Sequence, residues 1–223
     1  MSFPLLLFAA GLGTRMAELT KDRPKPLVHV AGKALIDHAI PLTAIPGVGQ
    51  RVVNVHYKAQ MVRDHLADTD IAISDETGTL LETGGGLRHA LPLLGQGPVI
   101  TMNSDAIWRG PNPIAQVMAA WQEHMECLML MVPKANVSGH LGKGDFHRDP
   151  EGRLIRGPGD IYTGVQIIRT DTLADIADTA FSMNVVWDQM AARGGLYGVT
   201  YDGQWCDVGQ PSSIPLAEAM LRV

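Results

Sequence analysis

The run Ala9-Ala10-Gly11-Leu12-Gly13-Thr14-Arg15-Met16, followed shortly by Pro24-Lys25-Pro26-Leu27, decides the fold of this chain. It comes directly after an unbroken apolar stretch, residues 4–9, of the length and type of a buried parallel strand. A glycine-rich turn at the carboxyl end of such a strand is where open α/β sheets bind ligands. The glycines let the backbone approach a polyphosphate, and successive N–H groups in the turn can form an anion-binding nest. Arg15 and Lys25 add positive charge within reach of the same loop. A phosphate site is the first expectation. Other phosphate loops fail on spacing: the third glycine of a dinucleotide fingerprint is Met16 here, and no Walker A pattern is present.

Working outward, strand and helix alternate. Strands are expected at 51–55, 71–74, 98–102, 127–132, 161–169 and 196–201. Helices are expected at 60–67, 85–94 (with Pro92 in the last turn), 113–124, 170–177, 185–193 and 211–221. Residues 133–160 are rich in Gly, Pro and charge, with a hairpin turn expected at Asp149-Pro150-Glu151-Gly152. The alternation predicts a single α/β domain over 1–223, a mostly parallel sheet covered by helices on both faces.

Composition agrees. The chain has 223 residues, 46% of them hydrophobic, enough for one large buried core. A net charge of −5 gives no reason to expect nucleic acid or an anionic membrane as partner, so positive charge must be local. Two cysteines, Cys127 and Cys206, in no C-x-x-C pair, argue against a disulfide framework or a zinc cluster. The eight histidines form no H-x-x-x-H pair. The start carries no basic leader and its apolar run is too short to span a bilayer, so a soluble cytoplasmic protein is expected.

The set G-x-G-T-R-M…P-K-P-L resembles the signature of the sugar-1-phosphate nucleotidyltransferases. The resemblance continues through Val30-Ala31-Gly32-Lys33-Ala34-Leu35-Ile36, where Ala34 stands in place of the family's proline. It continues at Leu81-Glu82-Thr83-Gly84-Gly85-Gly86, Asn103-Ser104-Asp105, Tyr162-Thr163-Gly164 and Trp205-Cys206-Asp207-Val208-Gly209. It therefore spans nearly the whole chain in order. It implies a Rossmann-like α/β/α sandwich without the C-terminal β-helix of many relatives. Residues 1–132 would mainly bind the nucleotide and 133–223 the sugar phosphate, as lobes of one domain.

The reaction so implied joins two polyanions. A sugar 1-phosphate oxygen, already an anion, attacks the α-phosphorus of a nucleoside triphosphate and pyrophosphate leaves. No strong base is needed; positioning and cations dominate. Arg15, a planar fork suited to two phosphate oxygens, is expected on the β/γ-phosphates or the departing pyrophosphate, and Lys25, stiffened between two prolines, between the α-phosphate and the incoming sugar phosphate. The resemblance assigns Asp105 and Asp207 to a Mg²⁺ ion, which takes one or two carboxylates plus phosphate oxygens and water. Ala10, Gly11, Gly13 and Thr14 would face the phosphates, and Glu82, Gly84 and Gly85 the nucleobase. Ser104 replaces the usual glycine before the metal aspartate, and it is strained if that position needs positive φ.

Lys143, Gly144, Asp145, Thr163 and Gly164 would bind the sugar phosphate, with His140 and His147 as further candidates. The run Gly139-His140-Leu141-Gly142-Lys143-Gly144-Asp145-Phe146 resembles the branch acting on muramic acid 1-phosphate with UTP. The Glu-Lys-Pro motif of many thymidylyl- and guanylyltransferases is replaced by Arg156-Gly157-Pro158-Gly159-Asp160, leaving Arg156 or Lys143 as its substitute. Trp108 suits either ligand stacking or core packing. The partners expected are a nucleoside triphosphate and a sugar 1-phosphate, bound by a monomer or small homo-oligomer. Other readings are a mannose- or glucose-1-phosphate nucleotidyltransferase using another base, or a non-catalytic sugar-nucleotide sensor. A sensor would be expected to have lost one of Arg15, Lys25, Asp105 and Asp207.

Overall fold

The computed structural model describes residues 2–140 and 142–222. Leu141, within the expected sugar loop, lies outside them. Seven strands form the central sheet: β1 Phe3–Phe8, β2 Val48–Val55, β3 Ala72–Asp75, β4 Val99–Asn103, β5 Cys127–Val132, β6 Ile161–Ile168 and β7 Leu196–Thr200. Their order is β7-β5-β6-β4-β1-β2-β3. All neighbours are parallel except β6, which runs antiparallel to both β4 and β5. The chain leaves β1 towards β2 and β3, then returns to place β4 on the other side of β1. That reversal opens a crevice at the carboxyl ends of β1 and β4.

The strand sequences show why both faces are covered. Leu5 and Leu7 point into one core with Leu128, Leu130 and Val132, while Leu6 points into the other with Cys127, Met129 and Met131. Alternate side chains enter opposite faces, so an uninterrupted apolar strand needs a helical layer on each side. Helices α1 Leu35–Thr43, α2 Ala59–His65 and α4 Pro113–Ala120 supply Ile36, Ala39, Val62, Ile114 and Val117 to the first core. Helices α3 Glu82–Leu94 and α5 Met183–Ala192 supply Leu87, Ala90, Val186 and Met190 to the second. Helix α6 Ser213–Leu221 lies over a third, smaller cluster containing Met16, Val30, Ile107, Cys206 and Val208. Among the described residues, no helix is long and apolar enough to cross a membrane.

Several boundaries differ from expectation. The helix expected over 113–124 ends at Ala120, because Trp121 turns extended and packs edge-on against Phe3 at 6.4 Å. The helix expected over 170–177 is only a 3₁₀ segment, Asp171–Asp175. Helix α1 was not anticipated; it carries Pro41 inside it, which obscures its period. The hairpin at 149–152 is present, joining the short antiparallel strands Phe146–Arg148 and Leu154–Arg156. A small three-stranded sheet lies outside the expected architecture. It pairs Gln204–Asp207 with Ala106–Arg109 and with Val137–Ser138.

Candidate active site

The crevice beside β1 holds a cleft of about 250 Å³ lined by Ala9, Ala10, Gly11, Lys25, Glu82, Thr83 and Asp105, among others. Above it the loop turns at Gly13, whose φ of +67° favours glycine. A Cβ there would also approach Thr20 Cγ2 to 2.9 Å and Lys25 Cβ to 3.0 Å. The buried Thr20 hydroxyl is within hydrogen-bonding distance of the carbonyls of Gly13 (3.0 Å) and Ala17 (3.1 Å), tying the loop down. Gly11 differs: nothing lies within 4 Å of its would-be Cβ. The protein's own packing does not require glycine there, whereas close approach of a ligand to the backbone would.

Lys25 begins a 3₁₀ turn, Lys25–Leu27, between Pro24 and Pro26. It is buried and its ammonium forms an ion pair with Asp105 Oδ2. Asp207 reaches the same place from the far end of the chain. It pairs with Ala106 in the small sheet, and the Val208 N–H donates to the Asp105 carbonyl at 3.0 Å. Burial raises the Asp207 carboxyl above its ordinary value and the negative charge of Asp105 adds to this; Lys25, Arg15 and His140 pull it back. A Cβ on Gly209 would sit 3.0 Å from Arg15 Nη1 and 3.1 Å from both Asp207 carboxylate oxygens. Arg15, Lys25, Asp105 and Asp207 therefore surround one spot.

A second cleft of about 370 Å³ continues from the first, sharing Asn103 and Asp105 and adding Arg15, His140, Tyr162, Asp207 and Gln210. The donor chemistry fits a hard divalent cation: two carboxylates face one cleft, and burial and the neighbouring Asp105 charge make the ionised form of Asp207 costlier. Among the described residues no group of three or more His, Cys, Asp or Glu forms a complete protein cage. Such an ion would be completed by phosphate oxygens and water, as is usual for Mg²⁺. Ser104 is not strained, since it is absent from the residues with positive φ. Its hydroxyl instead donates to the Phe8 carbonyl at 2.7 Å, fixing the end of β4 against the end of β1.

On the side expected to face a nucleobase, the glycines have a packing role. The N–H groups of Gly84 and Gly85 donate to the Phe181 carbonyl at 2.9 and 3.1 Å, and a Cβ on Gly84 would overlap the Phe181 ring. Those N–H groups are thus occupied by the protein. Glu82 and Thr83 line the cleft, and Glu82 has a φ of +60°. Sequence reading does not single out Asn54 and Glu76, two lining residues that are buried and hydrogen-bonded to each other at 2.7 Å. An asparagine inside Val52-Val53-Asn54-Val55 was the available signal.

The sugar-side candidates are spread out. Lys143 is exposed, and the Asp145 carboxylate accepts from the Tyr162 N–H at 2.9 Å. Gly144 sits so close to Gly159 that a Cβ would overlap its backbone. Thr163 lines the second cleft, yet its hydroxyl donates to the Leu130 carbonyl at 2.7 Å. Gly164, with φ of +85°, makes room for Asn103, whose side-chain carbon would lie 2.7 Å from a Cβ. Arg156 pairs with Asp188 (2.5 Å) and Asn184 (2.9 Å) and stacks over Phe146. His147 is exposed on the hairpin. Trp108 packs edge-on against Tyr201 at 5.0 Å and lines neither cleft.

Comparison with known proteins agrees with this geometry. The profile of the Nucleotidyl transferase family matches residues 5–142. The chain is 42% identical to the N-acetylmuramate alpha-1-phosphate uridylyltransferase of Caulobacter vibrioides, over 97% of this chain and 96% of that one. It is 32% identical to the mannose-1-phosphate guanylyltransferase catalytic subunit beta of Dictyostelium discoideum, over 92% of this chain and 61% of that longer protein. The fold matches the crystal structure of HddC from Yersinia pseudotuberculosis with a TM-score of 0.77 and 20% identity, covering 98% and 99% of the two chains. The clustered basic and acidic side chains at the end of a parallel strand, and these likenesses, lead to one statement: the chain belongs to the nucleotidyl transferase family.

Proposed function

We propose that the protein transfers a uridylyl group from UTP to N-acetylmuramic acid 1-phosphate, releasing pyrophosphate and forming a UDP-sugar for reuse of cell-wall sugars in the cytoplasm. The observation that carries nucleotidyl transfer is the convergence of Lys25, Arg15, Asp105 and Asp207 where the two clefts meet. The choice of base and sugar rests on the likeness to the Caulobacter uridylyltransferase over nearly the full length of both chains.

In this reading the triphosphate lies along Ala10, Gly11, Gly13 and Thr14, with the base towards Glu82, Gly84 and Gly85. The sugar phosphate occupies the second cleft, near Lys143, Gly144, Asp145, Thr163 and Gly164. The sugar phosphate oxygen forms a bond to the α-phosphorus as the bond from that phosphorus to the bridging oxygen breaks. Lys25 exchanges its partner Asp105 for oxygens of the two phosphates that the new P–O bond joins. Arg15 holds the departing pyrophosphate, its planar fork matching two oxygens. Mg²⁺ held by Asp105 and Asp207 would supply charge neutralisation at the phosphates.

The likeness to the Dictyostelium guanylyltransferase favours a second reading, GTP with mannose 1-phosphate. Incubating the protein and Mg²⁺ with UTP, dTTP, GTP, CTP or ATP, crossed with a panel of sugar 1-phosphates, separates the two. Pyrophosphate release is expected with UTP and the muramic acid derivative. Preference for GTP and mannose 1-phosphate would replace the first reading by the second.

A further inference from the structure

The two walls of the first cleft are joined through the interior by a buried polar relay. Asn54 Oδ1 accepts from the Ala9 N–H at 2.8 Å, where β1 gives way to the phosphate-facing loop. Asn54 Nδ2 donates to Glu76 Oε1 at 2.7 Å. Only 2% of Asn54 and 3% of Glu76 is exposed. Glu76 follows β3 directly and begins the loop leading to Glu82 and Thr83. Its own N–H donates to the Val55 carbonyl at 2.8 Å, and its carbonyl accepts from Thr79 at 3.1 Å. Gly86 of α3 closes over the pair: a Cβ there would lie 2.7 Å from Glu76 Oε1 and 3.1 Å from Asn54 Nδ2. The Leu81 N–H also faces the carboxyl, while Glu76 Oε2 makes no hydrogen bond among the described residues.

A buried carboxyl with an unsatisfied oxygen is costly, and an apolar pair of similar shape would hold these strands together at less expense. What an apolar pair would not do is fix the direction of the Ala9 peptide relative to the loop across the cleft. We propose that Asn54 and Glu76 are positioning residues that set the spacing between the phosphate-facing turn and the base-facing wall, so that one nucleoside triphosphate is held at both ends. This rests on the reading that a nucleotide occupies the first cleft.

The relay makes a reversible prediction. Asn54→Asp keeps the acceptor for Ala9 but sets a second carboxylate against Glu76. Adding Glu76→Gln restores a donor–acceptor pair with its polarity reversed. The KM for nucleotide in Asn54→Asp is expected to rise about tenfold or more, with the sugar phosphate KM within about twofold of wild type. The double variant is expected to return the nucleotide KM to within about threefold of wild type. Glu76→Leu, which adds no like charge, is expected to raise the nucleotide KM in the same selective way and decides the matter if Asn54→Asp does not fold.

An unchanged nucleotide KM in the folded single variants overturns the relay. So do losses that fall equally on both substrates and on melting temperature without recovery in the double variant. All kinetics use whichever nucleotide the wild type turns over, so a wild type preferring GTP overturns the uridylyl reading alone. A wild type that turns over none of the five overturns both.

Discussion

At the scale of single residues, Gly11 and Asp105 separate function from packing. Nothing lies within 4 Å of a Cβ added to Gly11, and its φ is outside the left-handed region, so Gly11→Ala should leave stability within about 0.5 kcal/mol. Its nucleotide KM should rise, because the methyl group stands where a phosphate would meet the backbone; an unchanged KM removes Gly11 from the binding loop. Asp105→Asn removes one of two carboxylates from the proposed cation position while keeping an acceptor for Lys25. Losing several kcal/mol of charge stabilisation corresponds to about a thousandfold in kcat, and near-normal turnover would discard the ligand assignment. Glu76 offers a pH test. Burial raises its carboxyl above the ordinary 4.5, so the folded chain holds this proton to higher pH than the unfolded chain. Its contribution to stability is greatest below that value and is lost as pH rises through the raised one. In Glu76→Gln, melting temperature measured across this range should lose that part of its decline with pH.

At the scale of elements, α3 tests whether helix propensity or packing governs the glycine run. Propensity alone predicts that Gly84→Ala stabilises the helix by about 1 kcal/mol. Overlap with the Phe181 ring, and a 2.9 Å approach to the Phe181 carbonyl oxygen, predicts overpacking costs of about 1–3 kcal/mol. The overlap is with a buried ring and a backbone atom that also binds two N–H groups, so packing should win. Denaturant unfolding is expected to show a net loss, and a gain would mean that the 179–181 segment yields freely. This element also shows how much was legible. The helix and its glycines were readable as a motif. Their contact with Phe181, almost a hundred residues later, was not, because chain-to-chain packing leaves no periodic trace. Asn112 presents the opposite case. Pro113 in the first turn marks where α4 starts, and the structure adds a local cap, Asn112 Oδ1 accepting from the Ile114 and Ala115 N–H groups at 2.9 and 3.1 Å.

At the scale of the whole molecule, the sheet interleaves the early and late parts of the chain. β6, from the later part, lies between β4 and β5 of the first 132 residues, and β7 pairs with β5. Neither part can unfold without stripping partners from the other's strands. Thermal unfolding followed by far-ultraviolet circular dichroism and by fluorescence of the four tryptophans is therefore expected to show coincident transitions. Separate midpoints would mean that the parts melt independently. A bound nucleotide should raise the common midpoint, as any ligand of the folded state does.

The sequence by itself determined the layered α/β architecture, because continuous apolar strands of this length require cover on both faces, and it located the glycine-rich loop proposed to hold phosphate and the two aspartates as motifs. Tertiary structure alone decided that β6 runs antiparallel and that the small sheet carries Asp207 to Asp105. It alone decided that Lys25 is buried against that carboxylate, and that Asn54 joins Ala9 to Glu76. The physical reason is range. Periodicity and turn chemistry act over a few neighbouring residues, whereas strand order, charge pairing and burial depend on which distant segments the closed sheet brings together.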